Sequence, residues 1–72
     1  MKEKFLKELG NRIHDIRVQK KMSINDLSRL TGKQYLSIYR VEKGKITPSL
    51  IYLMEMAEAL GTDISTIVKG LP

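Results

Sequence analysis

The residues of this sequence best suited to acid–base chemistry are the adjacent pair His14 and Asp15. On a helical wheel, His14 points away from the apolar stripe of Ile13 and Ile16, and helical spacing places no serine or second carboxylate opposite it. His14 is the single histidine and cysteine is absent, which excludes a His/Cys metal site and thiol chemistry. We therefore predict no enzyme activity, no metal and no cofactor.

Cationic side chains are the more informative feature, and they are concentrated in one part of the chain. The 72 residues include 13 Lys and Arg against 8 Asp and Glu, a net charge of +5. Residues 11–47 hold nine of the cations against three acids, whereas residues 48–72 carry one cation against three acids. A contiguous positive region is typical of a phosphate-binding surface, and a solvated lysine-rich surface is the alternative.

Length and composition indicate one small globular domain over residues 1–72. Hydrophobic residues make up 42% of the chain and charged residues 29%, which is typical of a folded chain. No apolar run reaches the roughly 18 residues of a membrane span, and residues 1–10 lack the apolar core of a signal peptide. We therefore expect a cytoplasmic protein without a membrane partner.

Apolar residues recur at helical spacing through most of the chain, and no segment shows the two-residue alternation of a half-buried strand. The pattern predicts an all-α domain of five helices, with capping residues at their starts and glycines at their ends. The helices begin near residue 3, after Ser23, at Gln34, at Pro48 and after Asp63, and the first four end near residue 20 and at Gly32, Gly44 and Gly61.

The fourth predicted helix carries two apolar stripes. The stripe expected to face the core is Leu50, Leu53, Ala57 and Leu60. Part of the second stripe would pack against the fifth helix, and the remainder suits a two-fold dimer in which one patch meets itself. The candidate dimer residues are Tyr52, Met56, Ala59, Ile67, Val68 and Leu71.

Glu42 lies beside the buried stripe of the third helix, which Ile38 and Val41 define. Arg17 has the same flanking position next to the apolar stripe of the first helix. A half-buried carboxylate needs a partner, and arginine offers a bidentate one. We therefore predict an Arg17–Glu42 ion pair between these helices, with two separate solvated charges as the alternative.

The second and third helices, joined by a tight turn at Gly32, have the pattern of a helix-turn-helix over about residues 23–43. The surrounding sequence resembles the phage-repressor (Cro/CI-like, XRE) helix-turn-helix domain over about residues 9–68. The matching segments are residues 9–17 (LGNRIHDIR), 23–28 (SINDLS), 31–32 (TG), 38–45 (IYRVEKGK) and 47–50 (TPSL). The resemblance implies a lambda-repressor-like fold and an ion pair such as Arg17–Glu42.

Three positions depart from the family pattern. Ile24 stands where the family usually has glutamine, Ser28 where it has alanine, and Gln34 where it has a small capping residue. The first departure weakens a phosphate contact, and the third leaves the third helix poorly capped.

The outward face of the third helix combines large apolar side chains with cations. Exposed apolar side chains are unfavourable on a small domain unless something covers them. The major groove of DNA admits one helix, where Arg pairs with guanine, Gln with adenine, and Leu or Tyr contacts a thymine methyl. The resemblance implies base reading by Gln34, Tyr35, Leu36 and Arg40, with Ser37 and Tyr39 adjoining. Packing over the turn is the alternative for Tyr35, and a protein contact is the alternative for Leu36.

Phosphate contacts are expected beside this face, where they would set register without reading sequence. Lys43 and Lys45 flank Gly44 in the loop after the third helix. Ser23 opens the second helix, whose N-terminal amides favour an anion. Arg12 and Lys33 are further candidates, and a solvated side chain is the alternative for each cation.

These features together predict a sequence-specific regulator that binds double-stranded DNA, in the form of a homodimeric repressor on a pseudo-palindromic operator. Its third helices would lie about 34 Å apart in successive major grooves. A second hypothesis is a protein-interaction module on the same scaffold, such as an antitoxin or accessory subunit, and a third is a non-specific nucleic-acid binder. A protein anti-regulator or toxin is a further expected partner.

Overall fold

The structure is a computed structural model that describes residues 2–71, and these residues form five helices and no strand. The helices are α1 (Lys2–Gln19), α2 (Ile24–Thr31), α3 (Tyr35–Glu42), α4 (Leu50–Ala59) and α5 (Ile64–Val68). The all-α, five-helix prediction is therefore confirmed. Helix α4 begins two residues after Pro48 because the Ser49 hydroxyl caps it by accepting a hydrogen bond from the Tyr52 amide. None of the helices in residues 2–71 has the length and apolarity needed to cross a membrane.

Local sequence signals determine the ends of α2. The Ser23 hydroxyl accepts a hydrogen bond from the Asp26 amide at 2.9 Å, and the Asp26 carboxylate accepts one from the Ser23 amide at 2.9 Å. At its other end, Gly32 has φ 73°, a left-handed conformation that favours glycine. Gln34 then precedes α3 without a side-chain capping bond, as its departure from the family pattern predicts.

All five helices contribute to one hydrophobic core. Helix α1 packs against α3 and α5, α2 packs against α3 and α4, and α4 packs against α5. The buried apolar cluster is Leu9, Ile13, Ile16, Leu27, Ile38, Val41, Leu53, Met56, Ala57, Leu60 and Ile67. Helix α3 is therefore held between α1 and α2 through Ile38 and Val41, and its other side is free to face outward.

The core stripe of α4 differs from the predicted one. Met56 is fully buried and Leu50 is 65% exposed, whereas the sequence pattern placed Leu50 in the core and Met56 outside it. Leu50 lies in the first turn of the helix, beyond the region that its neighbours cover. Met56 and the equally buried Ile67 are therefore unable to contact a second subunit, and the dimer prediction was wrong for both.

The remaining dimer candidates are also only partly accessible. Tyr52, Ala59 and Leu71 pack against the core, and Val68 lies at the surface. The apolar side chains that α4 leaves most exposed are Leu50, Ile51 and Met54, at 65%, 69% and 51%. The sequence pattern missed this set because a helical wheel gives the angle between side chains but not the angle that neighbouring helices cover.

Helices α1 and α3 approach each other closely at Gly10. A Cβ atom at this position would clash with the backbone carbonyl oxygens of Val41 and Glu42. Because backbone atoms have little freedom to move aside, the absent side chain at Gly10 sets the distance between the two helices.

We expect Gly10→Ala to destabilise the protein by about 1–3 kcal/mol, because the added methyl group must push α1 away from α3. A loss of stability would be the opposite of the usual effect, since replacing glycine by alanine in a helix interior normally stabilises a protein by about 1 kcal/mol. Urea unfolding measures the difference. The control is Gln19→Ala at an exposed position of the same helix, which should change stability by less than about 0.5 kcal/mol. A Gly10→Ala protein as stable as the native one would contradict the close approach.

Candidate nucleic-acid interface

Helix α3 and the residue before it present a continuous exposed face. The exposed side chains are Gln34, Tyr35, Leu36, Tyr39 and Arg40. The two tyrosines and the leucine among them remain between 41% and 49% exposed, which is high for large apolar side chains in an ordered helix. Five of the six residues predicted to read bases thus share one accessible surface, which we call the α3 face.

Ser37, the sixth of these residues, lies toward α4 instead. It is half-buried, and its hydroxyl is 3.0 Å from the hydroxyl of Tyr52. Tyr52 in turn lies beneath the Lys33 ammonium, which is 4.3 Å from the centre of the tyrosine ring. The structure therefore places Ser37 where it joins α3 to α4 and not on the α3 face, which corrects the sequence-based assignment.

The predicted ion pair between α1 and α3 is present. Arg17 Nε donates to Glu42 Oε2 at 2.7 Å and Arg17 Nη2 donates to Glu42 Oε1 at 3.0 Å, a bidentate arrangement. The two residues are only 8% and 6% exposed. Arg17 Nη1 also donates to the Met22 carbonyl oxygen at 2.8 Å, so one guanidinium joins α1, α3 and the segment before α2.

Hydrogen bonding within the pair stabilises the charged form of the arginine. The hydrogen bonds that Arg17 donates to Glu42 raise the pKa of Arg17 above its ordinary value, burial opposes this effect, and the charge of Glu42 adds to the increase. The guanidinium is therefore charged at all physiological pH values.

His14 is exposed, as its position on the wheel predicts, but the expectation that no carboxylate faces it was wrong. Its Nδ1 atom lies 3.1 Å from Glu42 Oε1 and 3.1 Å from Arg17 Nη2, while half of the side chain remains exposed. The wheel of α1 alone could not show that Glu42 reaches this position from α3. Within residues 2–71, no group of three or more His, Asp or Glu side chains is arranged to hold a metal ion.

Two of the predicted phosphate contacts lie in the turn after α3. Lys43 and Lys45 are exposed, and the Lys43 ammonium lies 5.6 Å from the centre of the Tyr39 ring. Gly44 between them has φ 70°, and a Cβ atom there would lie only 3.0 Å from the backbone of Lys7. The turn is therefore packed against α1 while its two ammonium groups face outward beside the α3 face.

Two other predicted phosphate contacts are already engaged within the protein. Arg12 Nη1 donates to the carbonyl oxygens of Thr66 and Ile67 at 2.9 Å and 3.4 Å, at the end of α5. Lys33 Nζ is 2.7 Å from Glu55 Oε1, and little of its side chain is exposed. Binding a phosphate would require either cation to give up these contacts, so the structure disfavours both assignments.

The start of α2 already holds a negative group. Hydrogen bonds from the backbone and side chain of Ser23 lower the pKa of Asp26 below its usual range, so the carboxylate is ionised at neutral pH. This charge lies where a phosphate oxygen would approach the helix amides. Arg29, whose Nη2 is 2.7 Å from Asp26 Oδ1, is the nearby cation that the sequence pattern did not single out. The phosphate contact at Ser23 stays a prediction.

Helices α2 and α3 are short and are joined by a tight turn, and α3 is buried on the side of Ile38 and Val41 and exposed on the other. This arrangement defines a helix-turn-helix domain. The sequence matches the HTH_3 family, described as Helix-turn-helix, over residues 13–67. The chain belongs to this XRE-type helix-turn-helix family.

Solved structures share this fold. The restriction-modification controller protein C.AhdI from Aeromonas hydrophila is similar, with 27% identity, a TM-score of 0.84, and coverage of 86% of this chain and 94% of that one. The clp gene regulator ClgR from C. glutamicum has 19% identity, a TM-score of 0.85, and coverage of 89% and 83%. The DNA-binding domain of BldD has 22% identity, a TM-score of 0.85, and coverage of 100% of both chains.

A comparison with curated proteins found no match. The family assignment, together with the similarity to a controller protein, supports a DNA-binding regulator.

Removing one partner of the Arg17–Glu42 pair is expected to be more harmful than removing both. Glu42→Ala leaves a buried guanidinium without its carboxylate, so we expect a loss of about 3–5 kcal/mol in the free energy of unfolding. The double variant Arg17→Met/Glu42→Leu buries no charge and should lose less. Urea unfolding of the three proteins is the measurement, and a double variant less stable than Glu42→Ala would contradict this account of the pair.

Proposed function

We propose that this protein is a sequence-specific transcriptional repressor that binds a pseudo-palindromic operator in double-stranded DNA as a homodimer in the cytoplasm. The observation that carries the proposal is the α3 face, which combines aromatic, apolar and basic side chains on a helix anchored through Ile38 and Val41. A single exposed helix of this kind matches the width of the major groove.

The side chains of the α3 face suit the edges of base pairs. Arg40 is the candidate for a bidentate contact with guanine O6 and N7, and Gln34 is the candidate for adenine. Tyr35, Leu36 and Tyr39 would cover thymine methyl groups and would themselves lose contact with water. These assignments are the ones that the family resemblance implies, and the exposure of the five side chains supports them.

Lys43 and Lys45 would hold the DNA backbone beside the groove. Both are exposed, and neither forms an ion pair with any other residue in 2–71. Their contacts would add affinity for every sequence, because all duplexes share the same phosphates. The similarity to a restriction-modification controller protein also supports a control function.

For the dimer we propose a surface on α4 in place of the buried candidates. Leu50, Ile51 and Met54 are the exposed apolar residues of this helix, and a hollow of about 260 Å³ is lined by Ile51, Met54, Glu55 and Glu58. Helix α4 contains two glutamates and no cation, so it does not attract DNA. An apolar side chain of a second copy would fill the hollow, and occupation of the operator by the dimer would block transcription.

Arg40 and Lys45 should differ in how they affect binding. Arg40→Ala is expected to weaken the preferred site by about 1–3 kcal/mol and to relax discrimination at one base position, because a base contact is lost. Lys45→Ala should weaken all sequences alike, because a phosphate contact is lost.

Affinities for matched and mismatched duplexes at several salt concentrations distinguish the two effects. The preferred site would first be selected from a random DNA pool. If Lys45→Ala relaxed discrimination and Arg40→Ala weakened all sequences alike, the assigned roles would be wrong. If the site selection enriched no sequence, the protein would instead be a non-specific binder.

Ile51→Glu should produce a monomer. The side chain is 69% exposed, so the fold should persist, while a charge in the proposed apolar contact would oppose association. Sedimentation equilibrium measures the mass, and affinity for a two-half-site operator should fall in parallel. Val18→Glu is the matched control, an exposed apolar residue on α1 that should leave the mass unchanged. A dimeric Ile51→Glu protein would exclude the α4 surface.

The α3 face also supports the second hypothesis, because Tyr35, Leu36 and Tyr39 would suit a partner protein's groove. A chain that binds no duplex at low salt would favour this protein-interaction module, with a toxin or anti-regulator as the partner. Site selection from a random DNA pool therefore separates the two functions directly.

A further inference from the structure

A cleft of about 360 Å³ lies between α1 and the end of α3. Lys7, Asn11 and His14 line one wall, at positions i, i+4 and i+7 of α1, and Glu42 and Lys43 line the other. Glu42 is buried, whereas the other four side chains are exposed. The proposed interface described above makes no use of Lys7, Asn11 or His14.

The electrostatic character of the cleft is positive. Both carboxylate oxygens of Glu42 are bound by Arg17, which offsets the one acidic charge in the lining. Within residues 2–71, neither Lys7 nor Lys43 forms an ion pair. Two lysines without an acidic partner therefore line this cleft.

Neutral hydrogen-bond donors lie between the two lysines. The Asn11 amide supplies N–H groups to the wall formed by α1. His14 Nδ1 is 3.1 Å from both Glu42 Oε1 and Arg17 Nη2, so it either donates to the carboxylate or accepts from the guanidinium. In the second arrangement the proton is on Nε2, and so it is in the protonated ring; in both of these forms Nε2 is a donor.

The end of a helix normally disfavours an anion, because its last carbonyl groups carry partial negative charge. Three carbonyl groups at the end of α3 are instead satisfied by the following turn. The amides of Lys43, Gly44 and Lys45 donate to the carbonyl oxygens of Tyr39, Val41 and Arg40. These bonds reduce the acceptor character of this wall.

The walls of the cleft are also held in place before any ligand arrives. Gly10 lies against the carbonyl groups at the end of α3, and Gly44 lies against the backbone of Lys7. Since the backbone on both sides is already ordered, a ligand would need to order only the exposed side chains.

We propose that this cleft binds a phosphate group, with Lys7 and Lys43 as the cations and Asn11 and His14 as hydrogen-bond donors. Lys43 lies beside Tyr39 of the α3 face, so the cleft continues the proposed DNA surface. The phosphate is therefore one of the DNA backbone flanking the segment that α3 reads, an assignment that rests on the proposed function. A free phosphate has the same chemistry, and the experiments separate the two sources.

Salt dependence provides the first test. Lys7→Ala should reduce the slope of log affinity against log salt concentration by about 0.9, the value for one lost contact to duplex DNA. Lys4→Ala removes the same charge from an exposed position of α1 outside the cleft and should leave the slope unchanged. Equal slopes for the native protein and both variants would overturn the proposal.

The second test locates the phosphate. Selected duplexes would carry a neutral methylphosphonate linkage at one position at a time. At one flanking position, the neutral linkage should lower the affinity of the native protein and leave that of Lys7→Ala unchanged. At every other position, the neutral linkage should change the affinity of both proteins equally. A Lys7→Ala protein that responds like the native protein at every linkage would overturn the assignment.

A third experiment separates this inference from the proposed function. Inorganic phosphate would be titrated into the native protein and Lys7→Ala, with chloride as the control, while NMR signals of Asn11 and His14 are followed. If the native protein binds no duplex, the proposed function fails, and saturable shifts that Lys7→Ala abolishes would then support a site for free phosphate. If neither duplex nor phosphate shifts these signals, the cleft is not a phosphate site.

Discussion

The buried Arg17–Glu42 ion pair is the interaction on which the geometry of the domain depends. Two charges removed from water are unfavourable unless their hydrogen bonds are complete, and here three guanidinium nitrogens have acceptors on Glu42 and Met22. That requirement is met only when α1, α3 and the segment before α2 lie in one arrangement. The pair therefore acts as a constraint on orientation, whether or not it adds net stability.

Close backbone contacts reinforce the same arrangement. Gly10 and Gly44 let α1 approach α3 and the turn that follows it, so the α3 face and the cleft with Lys7 belong to one ordered surface. A helix held by Ile38 and Val41 alone could roll about those two side chains. The ion pair and the glycine contacts oppose such a movement, which would change the side chains presented outward.

The sequence predicts those features that depend on one helix at a time. Apolar periodicity and the capping box at Ser23 locate the helices, and the positions of Ile38 and Val41 orient α3. The flanking positions of Glu42 and Arg17 beside their apolar stripes, together with the family resemblance, predicted the ion pair, because arginine satisfies a buried carboxylate well. The structure disfavours the phosphate contacts predicted for Arg12 and Lys33, because charge does not reveal that carbonyl groups or Glu55 already bind these cations.

Features that depend on how helices cross could not be obtained in this way. Met56 is buried and Leu50 is exposed, the reverse of the prediction, because the packing of α4 against α2 and α5 decides which side of the helix is covered. His14 acquires its contacts from α3, across an interface that no single wheel represents. Helical periodicity and capping signals therefore predict reliably where the helices lie along the chain. They predict the contacts between side chains of different helices much less reliably.

Buried and exposed residues alternate along the eight residues of α3. The residues that hold the helix in place are therefore different from those that it presents to solvent. Under the proposed function, exchanging Tyr35, Leu36 or Arg40 would alter the DNA sequence that is bound. The buried contacts would stay intact, since surface substitutions usually change folding free energy by less than about 0.5 kcal/mol. On that proposal, single substitutions could change the target preference without any redesign of the scaffold.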